Sequence, residues 1–174
     1  MPPRPPVPPH PPWPAAPATA IKPVLPPPLT LLYVEDNPVN ALLMQAMVQQ
    51  IGGWAIELYD DPDAAVRRAR ECRPTLMLLD LHLGARSGLD VLAALRAEPD
   101  TATVPCVAVS GDVAPDAIAA ALAAGFNGYW TKPLDLHEVA RQLAAVAACA
   151  TTAAATATAA ATTSCSRAPG PPAP

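Results

Sequence analysis

Between residues 30 and 148 the chain switches repeatedly between two hydrophobic periods. Short runs that are apolar at every position alternate with longer stretches whose apolar residues recur three or four positions apart. Leu29 to Val34 is the first short run and predicts a buried strand. Asn37 is a natural N-cap with Pro38 at the first helical position, so Pro38 to Ile51 predicts a helix, stopped by Gly52 and Gly53. Trp54 to Tyr59 predicts a second strand. Asp61 caps a helix over Pro62 to Cys72, with Arg67, Arg68 and Arg70 on its exposed side. Leu76 to Leu79 predicts a third strand ending at Asp80, followed by a loop and a helix from Gly88 to Ala97. Val104 to Val109 predicts a strand ending at Ser110. Pro115 to Ala124 predicts an alanine-rich helix stopped by Gly125. Asn127 to Thr131 predicts a short strand, and Asp135 to Ala147 the last helix.

That is a βα unit repeated five times. Strands apolar throughout are covered on both faces, which predicts an α/β fold: a parallel sheet with helices on each side. Right-handed crossovers leave few topologies. In such sheets the chemistry sits beyond the carboxyl ends of the strands.

Composition sets the limits of this domain. Of 25 prolines, fourteen fall in residues 1–29, seven in 30–148 and four in 169–174. Proline is excluded from helix interiors and central strands, so residues 1–29 are expected to be a disordered, proline-rich extension. All fifteen acidic residues lie in residues 30–148, against eight basic ones, leaving that segment at −7. An acidic domain is poorly suited to track nucleic-acid phosphates and well suited to hold a cation. Residues 149–174, mostly alanine, threonine and proline, are expected to be a disordered tail. The four cysteines show no metal-ligand spacing. With no signal peptide and no strongly apolar run long enough for a membrane span, a cytoplasmic location is expected.

The strand ends carry the candidate chemistry. Strand one ends in Glu35-Asp36, strand three in Asp80, strand four in Ser110, strand five in Thr131-Lys132-Pro133. Three converging carboxylates repel one another, and a divalent cation relieves this. Magnesium takes oxygen ligands and often shares them with a phosphate. A lysine and a hydroxyl beside it are suited to phosphoryl oxygens, and an aspartate can itself be the nucleophile.

From Leu31 to about Ala148 the chain resembles the receiver domain of two-component response regulators. The resemblance rests on LLYVEDNPVN, LMLLDLHLGARSGLDVL, VPCVAVSG and GFNGYWTKPLD. Separations of 44 residues from Asp36 to Asp80, 30 to Ser110 and 22 to Lys132 match the family's usual spacing. It implies a flavodoxin-like, doubly wound, five-stranded parallel sheet of order 2-1-3-4-5. Asp80 is implied as acceptor of a phosphoryl group from a phosphohistidine on a histidine kinase or phosphotransfer protein. Magnesium is implied on Asp36, Asp80 and the His82 carbonyl, with Glu35 acting through water. Lys132 is implied to pair with the acceptor, Ser110 to bond a phosphoryl oxygen, and Tyr129 to change rotamer with it as a switch. The Lys132–Pro133 bond is implied to be cis. The output is implied to be a protein target, with no direct nucleic-acid or membrane partner.

Where many family members have Met-Pro after the acceptor, this chain has Leu83-Gly84, expected to loosen the loop. The Glu-Asp-Asn-Pro stretch with Asn40 is similar to receivers of hybrid kinases. Trp54 and Trp130 are expected in the core. Two other readings remain at this point. One is a degenerate receiver that binds partners without phosphorylation. The other is a haloacid-dehalogenase-like phosphatase, which needs a second aspartate where this chain has His82.

Overall fold

The computed structural model describes the backbone of residues 29–163 and the side chains of residues 29–151. The elements run β1 (Leu29–Val34), α1 (Pro38–Ile51), β2 (Trp54–Tyr59), α2 (Pro62–Cys72), β3 (Leu76–Asp80), α3 (Gly88–Arg96), β4 (Cys106–Ser110), α4 (Pro115–Ala123), β5 (Gly128–Thr131) and α5 (Leu136–Thr163). The strands form one parallel sheet of order β2-β1-β3-β4-β5. This is the flavodoxin-like arrangement, with its switch point between β1 and β3.

Apolar residues on alternating strand positions feed two cores. On one face Leu32, Val34, Met77, Leu79 and Ala108 pack against Val66 and Ala69 of α2 and Leu92 and Leu95 of α3. On the other, Leu31, Tyr33, Leu78, Val107 and Val109 pack against Met44 and Val48 of α1 and Val139 and Leu143 of α5. Trp130 is buried in this second core and Trp54 packs against it, as expected. A strand covered on both sides has no polar face, which explains the uninterrupted apolar runs of β1, β3 and β4.

Caps set the helix starts. Asn37 Oδ1 accepts from Val39 N–H (2.9 Å) and Asp61 Oδ1 from Asp63 N–H (2.9 Å). Ser87 and Asp90 form a reciprocal capping box on α3.

Two boundaries differ from expectation. Val104 is buried but precedes β4: its N–H bonds Thr101 O in a turn, and Pro105 has no N–H to give the ladder. Helix α5 does not stop near Ala147 but continues to Thr163, into the segment expected to be disordered. Alanine has the highest helix propensity, and it outweighs the threonines between. Thr151 Oγ1 also bonds back to the carbonyls of Ala147 and Ala148 (3.1 and 2.9 Å). The expectation for residues 1–28 and 164–174 lies outside the described residues. Among the described residues no helix is long and apolar enough to cross a membrane.

Candidate functional site

The parallel sheet brings the polar ends of β1, β3, β4 and β5 to one edge. Glu35, Asp80 and Ser110 are buried there, while Asp36 is exposed. One carboxylate oxygen from each of Glu35, Asp36 and Asp80 lies within 4.8 Å of the others. Lys132 reaches across from β5. Its Nζ donates to Asp80 Oδ2 at 2.6 Å and to Glu35 Oε2 at 2.7 Å. The Lys132–Pro133 peptide is cis.

The three carboxylates differ in how they are held. Glu35 is tied on both oxygens. Tyr33 OH and Lys132 Nζ donate to Oε2. Asn40 Nδ2 donates to Oε1 at 3.0 Å, and the Asn37 N–H at 3.4 Å. Burial pushes the Glu35 carboxyl up, but the bonds from Lys132, Tyr33 and Asn40 outweigh it and hold the group below its usual value. For Lys132 burial acts to lower the value, and the bonds to Asp80 and Glu35 leave it raised, so the ammonium stays charged. The Tyr33 phenol is pushed well up, by burial first and by the Glu35 carboxylate second. Asp80 Oδ1 accepts from the His82 N–H at 2.9 Å.

Ser110 and Tyr129 sit on the β4–β5 side. Ser110 Oγ accepts from the Asp112 N–H (3.2 Å). Tyr129 is half-buried, and its hydroxyl donates to Asp112 O (2.8 Å). Between β3, α3 and α4 a cavity of about 250 Å³ is lined by Leu81, His82, Leu89, Ser110, Ala117 and Tyr129.

The β3–α3 loop is pinned rather than loosened. Gly84 takes φ 60°, a left-handed value glycine adopts freely. That closes a turn in which Leu83 and Arg86 exchange backbone bonds of 3.1 Å each. Leu83 is buried, and Arg86 pairs with Asp63 at the start of α2 (2.5 Å). Gly88 is required by closeness, not by φ: a β-carbon there would sit 2.4 Å from the Asp80 carbonyl oxygen.

Glu35, Asp36, Asp80, Ser110 and Lys132 therefore lie at this edge, with Tyr129 beside Ser110. Reading the sequence missed Tyr33. The signal was available: a tyrosine in an aliphatic buried strand needs a partner for its hydroxyl. The residue two positions on, which points to the same face, is Glu35.

A doubly wound sheet with an acidic trio, a lysine and a serine at its carboxyl edge defines a receiver. The chain belongs to the response regulator receiver domain family, whose description matches residues 31–144. It is 37% identical over 119 residues to the probable transcriptional regulatory protein TcrX of Mycobacterium tuberculosis. That similarity covers 68% of this chain and 50% of TcrX. It is 32% identical to the sensor histidine kinase AruS of Pseudomonas aeruginosa, over 68% of this chain and 12% of the kinase. The chain thus spans half or less of the length of these curated relatives. Among solved structures, the receiver domain of a Pseudomonas aeruginosa sensor histidine kinase superposes with a TM-score of 0.61 at 32% identity. The match covers 67% of this chain and 95% of that domain, which carries a magnesium ion in its active-site cleft. The all-oxygen trio of Glu35, Asp36 and Asp80 fits the same cation.

Proposed function

We propose that the chain accepts a phosphoryl group on Asp80 from a phosphohistidine of a histidine kinase or phosphotransfer protein. One Asp80 carboxylate oxygen attacks phosphorus in line, the phosphorus–nitrogen bond breaks, and the electron pair leaves on the imidazole. The observation that carries this reading is Lys132 Nζ, 2.6 Å from Asp80 Oδ2 within the acidic trio. A fixed cation beside the acceptor cancels charge as the phosphoryl oxygens arrive and costs no reorganisation. Magnesium, when bound, supplies the remaining positive charge and aligns phosphate oxygens. Asp36, Asp80 and the His82 carbonyl would hold it, with Glu35 acting through water.

After transfer, Ser110 Oγ exchanges its bond with Asp112 for one to a phosphoryl oxygen. Tyr129 leaves Asp112 O and turns toward the cavity beside Ser110. The surface of α4, β5 and α5 is then re-presented to a downstream protein target. The domain promotes only its own phosphorylation and dephosphorylation, works in the cytoplasm, and contacts neither nucleic acid nor membrane directly.

The complete set of site residues argues against a phosphorylation-independent module. His82 in place of a second aspartate argues against a phosphatase. With magnesium and acetyl phosphate the chain should gain one acid-stable, base-labile phosphoryl group by mass spectrometry. Asp80→Asn should abolish it; undiminished labelling of that variant overturns the assignment.

A further inference from the structure

Tyr33 carries the one hydroxyl among the apolar residues 31–34 and is fully buried in the second core. A phenylalanine would fill the same volume with no polar atom to take out of water. The hydroxyl donates to Glu35 Oε2. That same oxygen accepts from Lys132 Nζ at 2.7 Å, and Lys132 Nζ donates to Asp80 Oδ2 at 2.6 Å. One chain of hydrogen bonds therefore runs from the core to the phosphoacceptor.

We propose that Tyr33 is a positioning residue for phosphoryl transfer: through Glu35 Oε2 it fixes where Lys132 stands beside Asp80. This rests on Asp80 being the phosphoacceptor and adds a residue to that site. Burial keeps Tyr33 away from any phosphodonor, so it acts only through Glu35. The terminal torsion of a glutamate is broad, so donors must fix the plane of its carboxylate. Asn40 Nδ2 and the Asn37 N–H hold Oε1, at 3.0 and 3.4 Å. Oε2 is left to Tyr33 and Lys132. The lysine cannot be the anchor of that pair, because its stem is flexible and its ammonium must turn to the phosphoryl oxygens during transfer. Tyr33 can be. It sits in β1 between two paired strands, opposite Leu58 on β2 and Leu78 on β3. Residues two apart on a strand share a face, so its hydroxyl meets the Glu35 side chain without a change of backbone.

The chain has two lysines, Lys22 and Lys132, which makes the positioning measurable. In a Lys22→Arg chain grown with ¹⁵N-lysine, the Lys132 ammonium gives the single lysine side-chain signal in NMR. Its bonds to two carboxylates slow its proton exchange. Tyr33→Phe should speed that exchange about threefold or more, since bonds in a chain strengthen one another. Glu57→Gln, which loses bonds outside the site, should leave the exchange at the parental rate. With magnesium and acetyl phosphate, Tyr33→Phe should be labelled about tenfold more slowly, the loss typical when a partner behind a functional group is removed. In a Lys132→Ala background the same substitution should change the labelling rate less than about twofold, because the route to Asp80 is already cut. Parental ammonium exchange in Tyr33→Phe overturns the proposal, whether or not the chain is phosphorylated. So does labelling of folded Tyr33→Phe at the parental rate, and so do effects of Tyr33→Phe and Lys132→Ala that multiply. Labelling that persists in Asp80→Asn overturns the phosphoacceptor assignment instead, and the ammonium signal still decides the role of Tyr33.

Discussion

Tyr33 shows how a single side chain can set the state of a site it does not belong to. Its hydroxyl donates to Glu35 from full burial, and its removal leaves the carboxylate with Lys132, Asn40 and the Asn37 N–H. Tyr33→Phe should lower stability by about 1.5 kcal/mol, the scale of a hydrogen bond to a charged group. Urea unfolding checks this. At Glu57 the lever is pH. The bonds from Arg68 (2.8 Å to each oxygen) hold its carboxyl below the usual value against burial, with a further bond from Tyr59. A lowered folded value means the contribution is complete above the unfolded value of 4.5 and fades as pH falls through the folded one. Glu57→Gln should therefore be less stable than the parent at pH 7, and the gap should close by pH 3. Urea midpoints at the two pH values test it. At this scale the sequence was readable where chemistry and position coincide. Asp36, Asp80, Ser110 and Lys132 stand at strand ends, and a parallel sheet gathers strand ends. The contact from Lys132 to Glu35 was not readable. Strand order places β5 three spacings from β1, about 14 Å and more than a lysine side chain spans, so the contact depends on how the chain beyond the strand ends converges, which the sequence does not express.

Apart from the end of α5, elements were legible to within a residue or two because caps and glycines punctuate them. The miss at Val104 came from burial without pairing: a valine covered by a turn looks, in sequence, like a valine covered by a sheet. Helix α3 depends on a spacing that no propensity expresses. Gly88 opens the helix directly against the backbone of Asp80, and both an added β-carbon and the carbonyl would compete for one volume. Gly88→Ala should cost about 2 kcal/mol, the scale of overpacking, and should slow phosphorylation by displacing Asp80. Ser87→Ala, which removes the cap alone, should cost about 1 kcal/mol and leave the rate of labelling by acetyl phosphate nearly unchanged. The pair of variants separates crowding from capping.

For the whole molecule, the basic side chains of α2 and its C-cap are paired within the domain. Arg68, Arg70 and Arg73 pair with Glu57, Glu98 and Asp100. Among the described residues, little positive charge remains unpaired on that face. Both cores close before α5 leaves the sheet, the last packed residues being Leu143 and Val146. Removing residues 151–174 should therefore leave cooperative unfolding intact and move Tm by no more than about 2 °C, since surface changes are typically within 0.5 kcal/mol. Calorimetry of the shortened chain tests this. Helix α5 spans 28 residues, about 42 Å at 1.5 Å per residue, and more than half of it follows Val146, the last described residue packed in the second core. It begins three residues after Pro133, whose peptide joins it to Lys132. A rigid rod pivoted at its base amplifies angle into distance: a tilt of about 5° near Ala150 displaces the far end by roughly 2 Å over the free length. A change at the phosphoacceptor edge that tilted α5 would thus be read out, enlarged, along the helix beyond the second core.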